Sequence, residues 1–333
     1  VEQVTPEAVA EAARKYLKPA NRTLGTFIPD SNPDRAEIPP PPDLAVLLKD
    51  YQGKAAIAKG EDFDPSPENI EERTTRGKLD NGLQYALLPK KTRGESVNAR
   101  ITLRFGNLES LQGKSTAADF AGGLLDRGTK NMTREQIKDA FDRLKARVFF
   151  SGGTDSAGAS IETDREHLPE TLRLVVEVLR EASFPEDEFE KLKIEQLASL
   201  EQVKSDPSSL ANNLYARVSR PPYGKEDPRY ISTFDEEISN IQSVTLEQVR
   251  QFHSQFYGAS DATVAVVGDF DASEIKGLLK ETLGDWKSKK PYTRIPSPHQ
   301  TVPLAHETIE TPDKANAVYI AGYRFPMRDD HPE

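Results

Sequence analysis

The sequence predicts an α+β fold: a mostly antiparallel sheet with helices packed on one face. Three observations carry it. Residues 96–105 alternate Val97, Ala99, Ile101, Leu103 and Phe105 against Asn98, Arg100, Thr102 and Arg104, the period-two signature of a half-buried strand. Strand-like segments gather early, long helical patterns fill 166–256, and a strand returns at 262–268 before a last helix at 271–284. Two stretches are also copies of each other at one fixed offset. Val4-Thr5-Pro6-Glu7-Ala8-Val9 aligns with Val244-Thr245-Leu246-Glu247-Gln248-Val249, Tyr16 with Phe256 and Thr23 with Thr263, as in a duplicated unit.

In chain order, residues 4–17 predict a helix capped by Thr5, with Pro6 at its first position and Val4, Val9, Ala12, Ala13 and Tyr16 as its buried stripe. A strand is expected at Thr23–Pro29. Residues 30–75 read as an inter-unit linker, because Pro39-Pro40-Pro41-Pro42 forms a stiff rod with little capacity to join a core; a short helix is expected near Asp43–Tyr51. Asn81-Gly82 opens a hairpin-like turn into Leu83–Leu88. Helices follow at 114–126 and 133–146, the second with Thr133 and Gln136 at capping-box spacing. Paired strands are expected at Val148–Ser151 and Ala157–Glu162, then helices at 166–181, 186–204, 208–219 and 245–256. Ala317–Phe325 alternates like a first strand of another domain. The expected division is 1–29 as the end of a preceding homologous unit, 30–75 as linker, 76–300 as the main α+β domain and 301–333 as the start of the next. The 333-residue chain thus reads as a piece of something longer.

Composition narrows the function. A net charge of −10 and a pI near 5.2 argue against nucleic acid and anionic membranes as partners. Absence of cysteine excludes disulfides, zinc-thiolate sites and thiol nucleophiles. None of the five histidines stands three or four residues from another, so no helical metal pair exists. Phosphate-loop and nucleophile-elbow patterns are missing too.

The segment Thr116-Ala117-Ala118-Asp119-Phe120-Ala121-Gly122-Gly123-Leu124-Leu125-Asp126-Arg127-Gly128-Thr129 resembles the helix that carries H-x-x-E-H in the pitrilysin/insulinase-type zinc metallopeptidases. Asn81-Gly82-Leu83, Phe105-Gly106, Phe184-Pro185, Pro222-Tyr223-Gly224 and Val266-Val267-Gly268-Asp269 support the resemblance in their order. It implies a LuxS/MPP-like metallopeptidase sandwich. Anchored on Gly128-Thr129, the two histidine positions fall on Asp119 and Gly123 and the glutamate position on Gly122; all three are replaced. The third ligand would fall between Leu197 and Leu200, flanked by Glu195 and Glu201. Two helical glycines in succession cost about 1 kcal/mol each relative to alanine, and they let a neighbouring element approach closely.

The resemblance therefore implies a non-catalytic half, with no catalytic residues and no metal or cofactor of its own. It would complete the peptide-binding chamber of a zinc-dependent endopeptidase whose active site, and zinc, lie in an upstream unit of the same chain. The alternative is an inactive scaffold or companion subunit of the same family. Peptides are the expected substrates, and Arg217, Arg220 and Tyr223 the candidate contacts to them. The family's own Arg/Tyr pair would lie beyond Glu333. The periplasm is the expected compartment, with the cytoplasm as the alternative.

Overall fold

The computed structural model of the protein describes residues 5–26, 29, 49 and 59–326. Its chain divides into two compact units, Val1–Ala55 and Ala56–Glu333. In the first, α1 (Pro6–Tyr16) is capped as its sequence predicts, Thr5 Oγ1 accepting from the Ala8 amide. The expected stripe is not buried, however: α1 buries none of its residues, and Val9 and Tyr16 are exposed. Residues 23–26 are irregular and exposed, not a strand. The expected helix near Asp43–Tyr51 lies outside the described residues, apart from Lys49.

The second unit is a six-stranded sheet with helices on one face. Helix α2 (Pro67–Arg73), in the stretch expected as linker, leads into β1 (Thr75–Lys78). Then come β2 (Gln84–Pro89), β3 (Ser96–Arg104), α3 (Ser115–Gly123) and α4 (Arg134–Arg143). The hairpin β4 (Arg147–Gly152) and β5 (Ser156–Asp164) precedes α5 (Leu168–Glu181), α6 (Glu186–Val203), α7 (Pro207–Val218) and α8 (Phe234–Ser243). Helix α9 (Leu246–Phe256), β6 (Thr263–Gly268) and α10 (Ala272–Leu283) close the unit.

Sheet order is β1-β2-β6-β3-β5-β4. Only β2 and β6 run parallel; every other neighbouring pair is antiparallel, as expected. A late strand thus inserts between two early ones, so the sheet cannot be completed until the helices between them have folded back.

Period-two alternation sends Val97, Ala99, Ile101 and Leu103 of β3 into the core with Val264 and Val266 of β6. Phe105 continues the row into an aromatic cluster, its ring 5.8 Å from Phe252 and 5.1 Å from Tyr257. Capping boxes start α4 at Thr133/Gln136, α8 at Thr233/Glu236 and α9 at Thr245/Gln248. Two expectations fail in this unit. Helix α8 was not expected, and Ala317–Phe325 forms no strand. An alternating segment becomes a strand only against a partner, and Tyr319 and Tyr323 stay exposed.

Candidate functional site

The candidate site lies where α3 meets the β4–β5 hairpin. Asp119, Gly122 and Gly123 sit at i, i+3 and i+4 and so share one face of α3. Gly122 is seated directly on Gly152. A Cβ built on Gly122 would come within 2.6 Å of Gly152 Cα, and one built on Gly152 within 2.6 Å of Gly122 Cα. No side chain fits at either position unless the hairpin moves. A Cβ on Gly123 would stand 3.1 Å from Leu192 Cδ2 of α6, tight but against a side chain that can turn.

Beneath this contact is Tyr257, which follows α9. Its ring stacks near Phe105 and His253, and its hydroxyl, 3.0 Å from a Cβ built on Gly152, has no hydrogen-bond partner among the described residues. Burial pushes the phenol up, with the Asp119 charge as a second cause. Asp119 itself is crowded by protein atoms while its side chain keeps contact with water. The crowding, and then the neighbouring Glu237, push its carboxyl up to about 6. Glu237 is raised in turn by its own partial burial.

The third-ligand region serves another purpose. Glu195 accepts from Arg127 at 2.8 Å, and Arg127 also meets Glu188 at 3.3 Å. Both Arg127 and Glu188 are buried, and Arg134 and Lys191 complete the network around Glu188. The Lys191 hydrogen bond is the first cause holding Glu188 below the usual carboxylate range; Arg127 does the same for Glu195. Leu197 and Leu200 pack against the core. The sequence signal for this network is weak, since Glu188 reads as one of three acids at a helix start and Arg127 as surface. Gly128 follows with φ +155°, and the Thr129 hydroxyl donates to Glu177 at 3.0 Å, which fixes the turn after α3.

These residues do not fit a zinc ion. Zinc takes three protein ligands from His, Asp, Glu or Cys around an open position. Here one carboxylate faces two glycines, the space at Gly122 is filled by backbone, and Glu195 is held by an arginine. Elsewhere, Asp164, Glu166 and His167 bring ligand atoms within 4.8 Å of one another. Asp164 there accepts from the His167 amide and ring in the turn before α5, and Lys145 stands 3.8 Å away, so turn hydrogen bonds and a surface ion pair account for the grouping.

The candidate contacts Arg217, Arg220 and Tyr223 are not brought together by any hydrogen bond. Tyr223 is covered instead by Arg229, whose guanidinium lies 4.2 Å from the ring centroid and grips Asp227 through Nε and Nη2. Arg217 and Arg220 are exposed.

The peptidase M16 inactive domain matches residues 243–333. The zinc protease PqqE of Helicobacter pylori is 27% identical over 259 residues, covering 74% of this chain and 56% of that protein. The chain is thus similar to the M16 peptidases, over residues 243–333 to their inactive domain. A second relative, the probable zinc protease PqqL of Escherichia coli, is 24% identical over 66% of this chain and 24% of its own length. The chain thus spans about half of one relative and a quarter of the other. Among solved structures, the peptidase M16 inactive domain from Pseudomonas fluorescens shares the fold with a TM-score of 0.57 at 22% identity, over 66% of this chain and 52% of that one. The periplasmic protease PqqL gives 0.53 at 22%, over 69% and 26%.

Proposed function

We propose that this chain is the non-catalytic half of a zinc metalloendopeptidase. It completes a peptide-binding chamber whose active site, with its zinc, belongs to an upstream unit of the same polypeptide. The observation that carries the reading is the contact between Gly122 and Gly152: at the positions resembling the inverted zinc motif, backbone occupies the space that ligands would need. In this reading residues 1–29 end the preceding unit, 76–300 form the degenerate domain and 301–333 begin the next. Asp119, Gly122 and Gly123 mark the lost ligand positions, and Arg217, Arg220 and Tyr223 are contacts offered to a peptide.

Strand β4 ends the sheet, so its outer backbone groups are free to pair with an extended peptide. The naming of PqqL as a periplasmic protease supports a periplasmic setting. Among the described residues no helix is long and apolar enough to cross a membrane.

Fluorogenic peptide hydrolysis tests the reading. The chain alone is expected to give no chelator-sensitive cleavage, while the full-length protein cleaves and loses activity when this region is deleted. Chelator-sensitive cleavage by the chain alone overturns it. A full-length protein inactive on every peptide points instead to the scaffold.

A further inference from the structure

Residues 60–73 lie at the end of the stretch expected as linker, yet they close on themselves and on the turn after β2. Gly60 lies flat on that turn: a Cβ built on it would come within 3.0 Å of the Lys91 oxygen and of the Arg93 backbone nitrogen. The Glu61 amide donates to the Lys91 oxygen at 3.1 Å, and the Lys91 amide donates back to Glu61 Oε2 at 3.1 Å. Arg73, the last residue of α2, pins the loop. Its guanidinium donates to Glu61 Oε1 and to the Pro89 oxygen, and stands 5.1 Å from the centre of the Phe63 ring. Lys90 covers the same ring, its Nζ 4.0 Å from the centre. Asp64 shapes the turn into α2, accepting from the Ser66 amide and hydroxyl at 2.9 Å each, while the Asn69 side chain donates to the Asp64 backbone oxygen at 2.7 Å. The two ends of the loop, Glu61 and Arg73, therefore touch.

The anchor is firm and the loop fastened to it is soft. Lys91 Nζ reaches Asp269 at 3.1 Å, and Asp269 is buried just after β6 and held by Arg165 as well. Helix α2, by contrast, has seven residues and buries none of them, and a helix so short does not stand alone in water. Phe63 is half-buried, and the Glu61 and Arg73 side chains keep contact with water. Segments held by so few buried contacts open locally at far lower cost than the core around them. Fastened, the stretch has its two ends in contact; released, residues 60–73 reach about 45 Å when extended.

We propose that residues 60–73 are a releasable clasp that stores slack in the connection between the two halves of the chamber. The inference rests on the chamber reading and adds a moving part to it. Two halves joined by one chain admit a long peptide only when they part, and the length of free chain between them limits how far they go. Opening the clasp lengthens that chain. Refastening Glu61 on Lys91 and Arg73, with Phe63 under its two cations, shortens it again.

Two measurements test it. Amide exchange on the intact chain reads the release. Residues 60–73 are expected to exchange by local opening, faster than β2 and β3. Phe63→Ala removes both cation–ring contacts and should speed that exchange about tenfold, with the main urea transition unchanged. Glu68→Gln, at an exposed position of α2, should alter neither. Exchange of 60–73 only through global unfolding, or exchange that Phe63→Ala does not alter, overturns the clasp. The second measurement uses the full-length protein with Glu61→Cys and Arg73→Cys, joined by a bis-maleimide whose spacer holds a reducible disulfide; unaltered protein treated with the same reagent sets the baseline. Cross-linking is expected to slow cleavage of a long peptide about fivefold or more and of a short fluorogenic peptide much less, and reductant restores the rate. Cleavage that the cross-link leaves unchanged, or slows equally for both peptides, overturns the slack and leaves the chamber reading standing. An unaltered full-length protein that cleaves neither peptide overturns both.

Discussion

Helices α1 and α9 share one sequence pattern and meet different fates. Both begin with a threonine whose side chain caps the first turn, and both carry a valine four residues after it and an aromatic residue at the last helical position. In α9, Val249, Phe252 and Phe256 are buried, and Phe256 lies against Phe105 and Phe252. Their counterparts in α1 are Val9, Ala12 and Tyr16, and none is buried. After α9 the chain pairs as β6 between β2 and β3; after α1 the corresponding residues 23–26 form no strand. The pair separates what local sequence decides from what packing decides. Capping residues and spacing suffice to start a helix; only a facing surface turns an apolar stripe into core.

Truncating the aromatic member of each pair probes that contrast hardest. Phe256→Ala should destabilise the folded unit by about 3–5 kcal/mol, as deletion of a buried ring does, whereas Tyr16→Ala should stay within about 0.5 kcal/mol. Urea unfolding followed by circular dichroism measures both, and equal losses would break the comparison. The caps give a smaller difference. Thr245→Ala removes the hydroxyl that accepts from the Gln248 amide and should cost about 1 kcal/mol. Thr5→Ala should melt only α1, seen as faster amide exchange there without a change in the main transition.

A third pair of variants examines what lies under α9. Tyr257→Phe removes a buried hydroxyl that has no partner among the described residues, so its loss should be neutral to slightly stabilising; a clear loss of stability would mean that the hydroxyl has a bonding role. Asp119 gives the smallest signal, a pH dependence. Its folded pKa of about 6 lies above its ordinary value of 3.8, so the folded state holds this proton more tightly. The associated stability is present below about pH 4 and is lost as pH rises through about 6. Asp119→Asn should remove that decline from the melting temperature between pH 4 and 7 and leave the acid limb unchanged. Parallel profiles for the two proteins would refute the shift.

The same division sets what could be read from the sequence. Strand β3 was legible because its alternation is strict, α4 because its capping box stands at the helix start, and α9 because it repeats the threonine-capped pattern of α1. Helix α8 carries an equally good box at Thr233 and Glu236, but only Ile241 among its residues is buried, which leaves little apolar pattern to read. Helix α2 has seven residues, too few for a period to emerge. The segment 317–325 misled in the opposite direction, with alternation and no partner. At the site, Gly122 and Gly123 were legible as a place of close approach. That the approaching backbone is Gly152 depends on how a hairpin folds back. The buried pairing of Arg127 with Glu188, and its bond to the exposed Glu195, were not legible, because single charges read as surface until a partner is placed beside them.

Zinc titration of the purified chain by calorimetry bears most directly on the central claim, that the helix carrying Asp119 is sealed against Gly152 and cannot hold a catalytic ion. No one-to-one binding at this site is the expected result, with Asp119→Ala giving the same trace as the unaltered chain. One tightly bound zinc per chain, lost on Asp119→Ala, would contradict it.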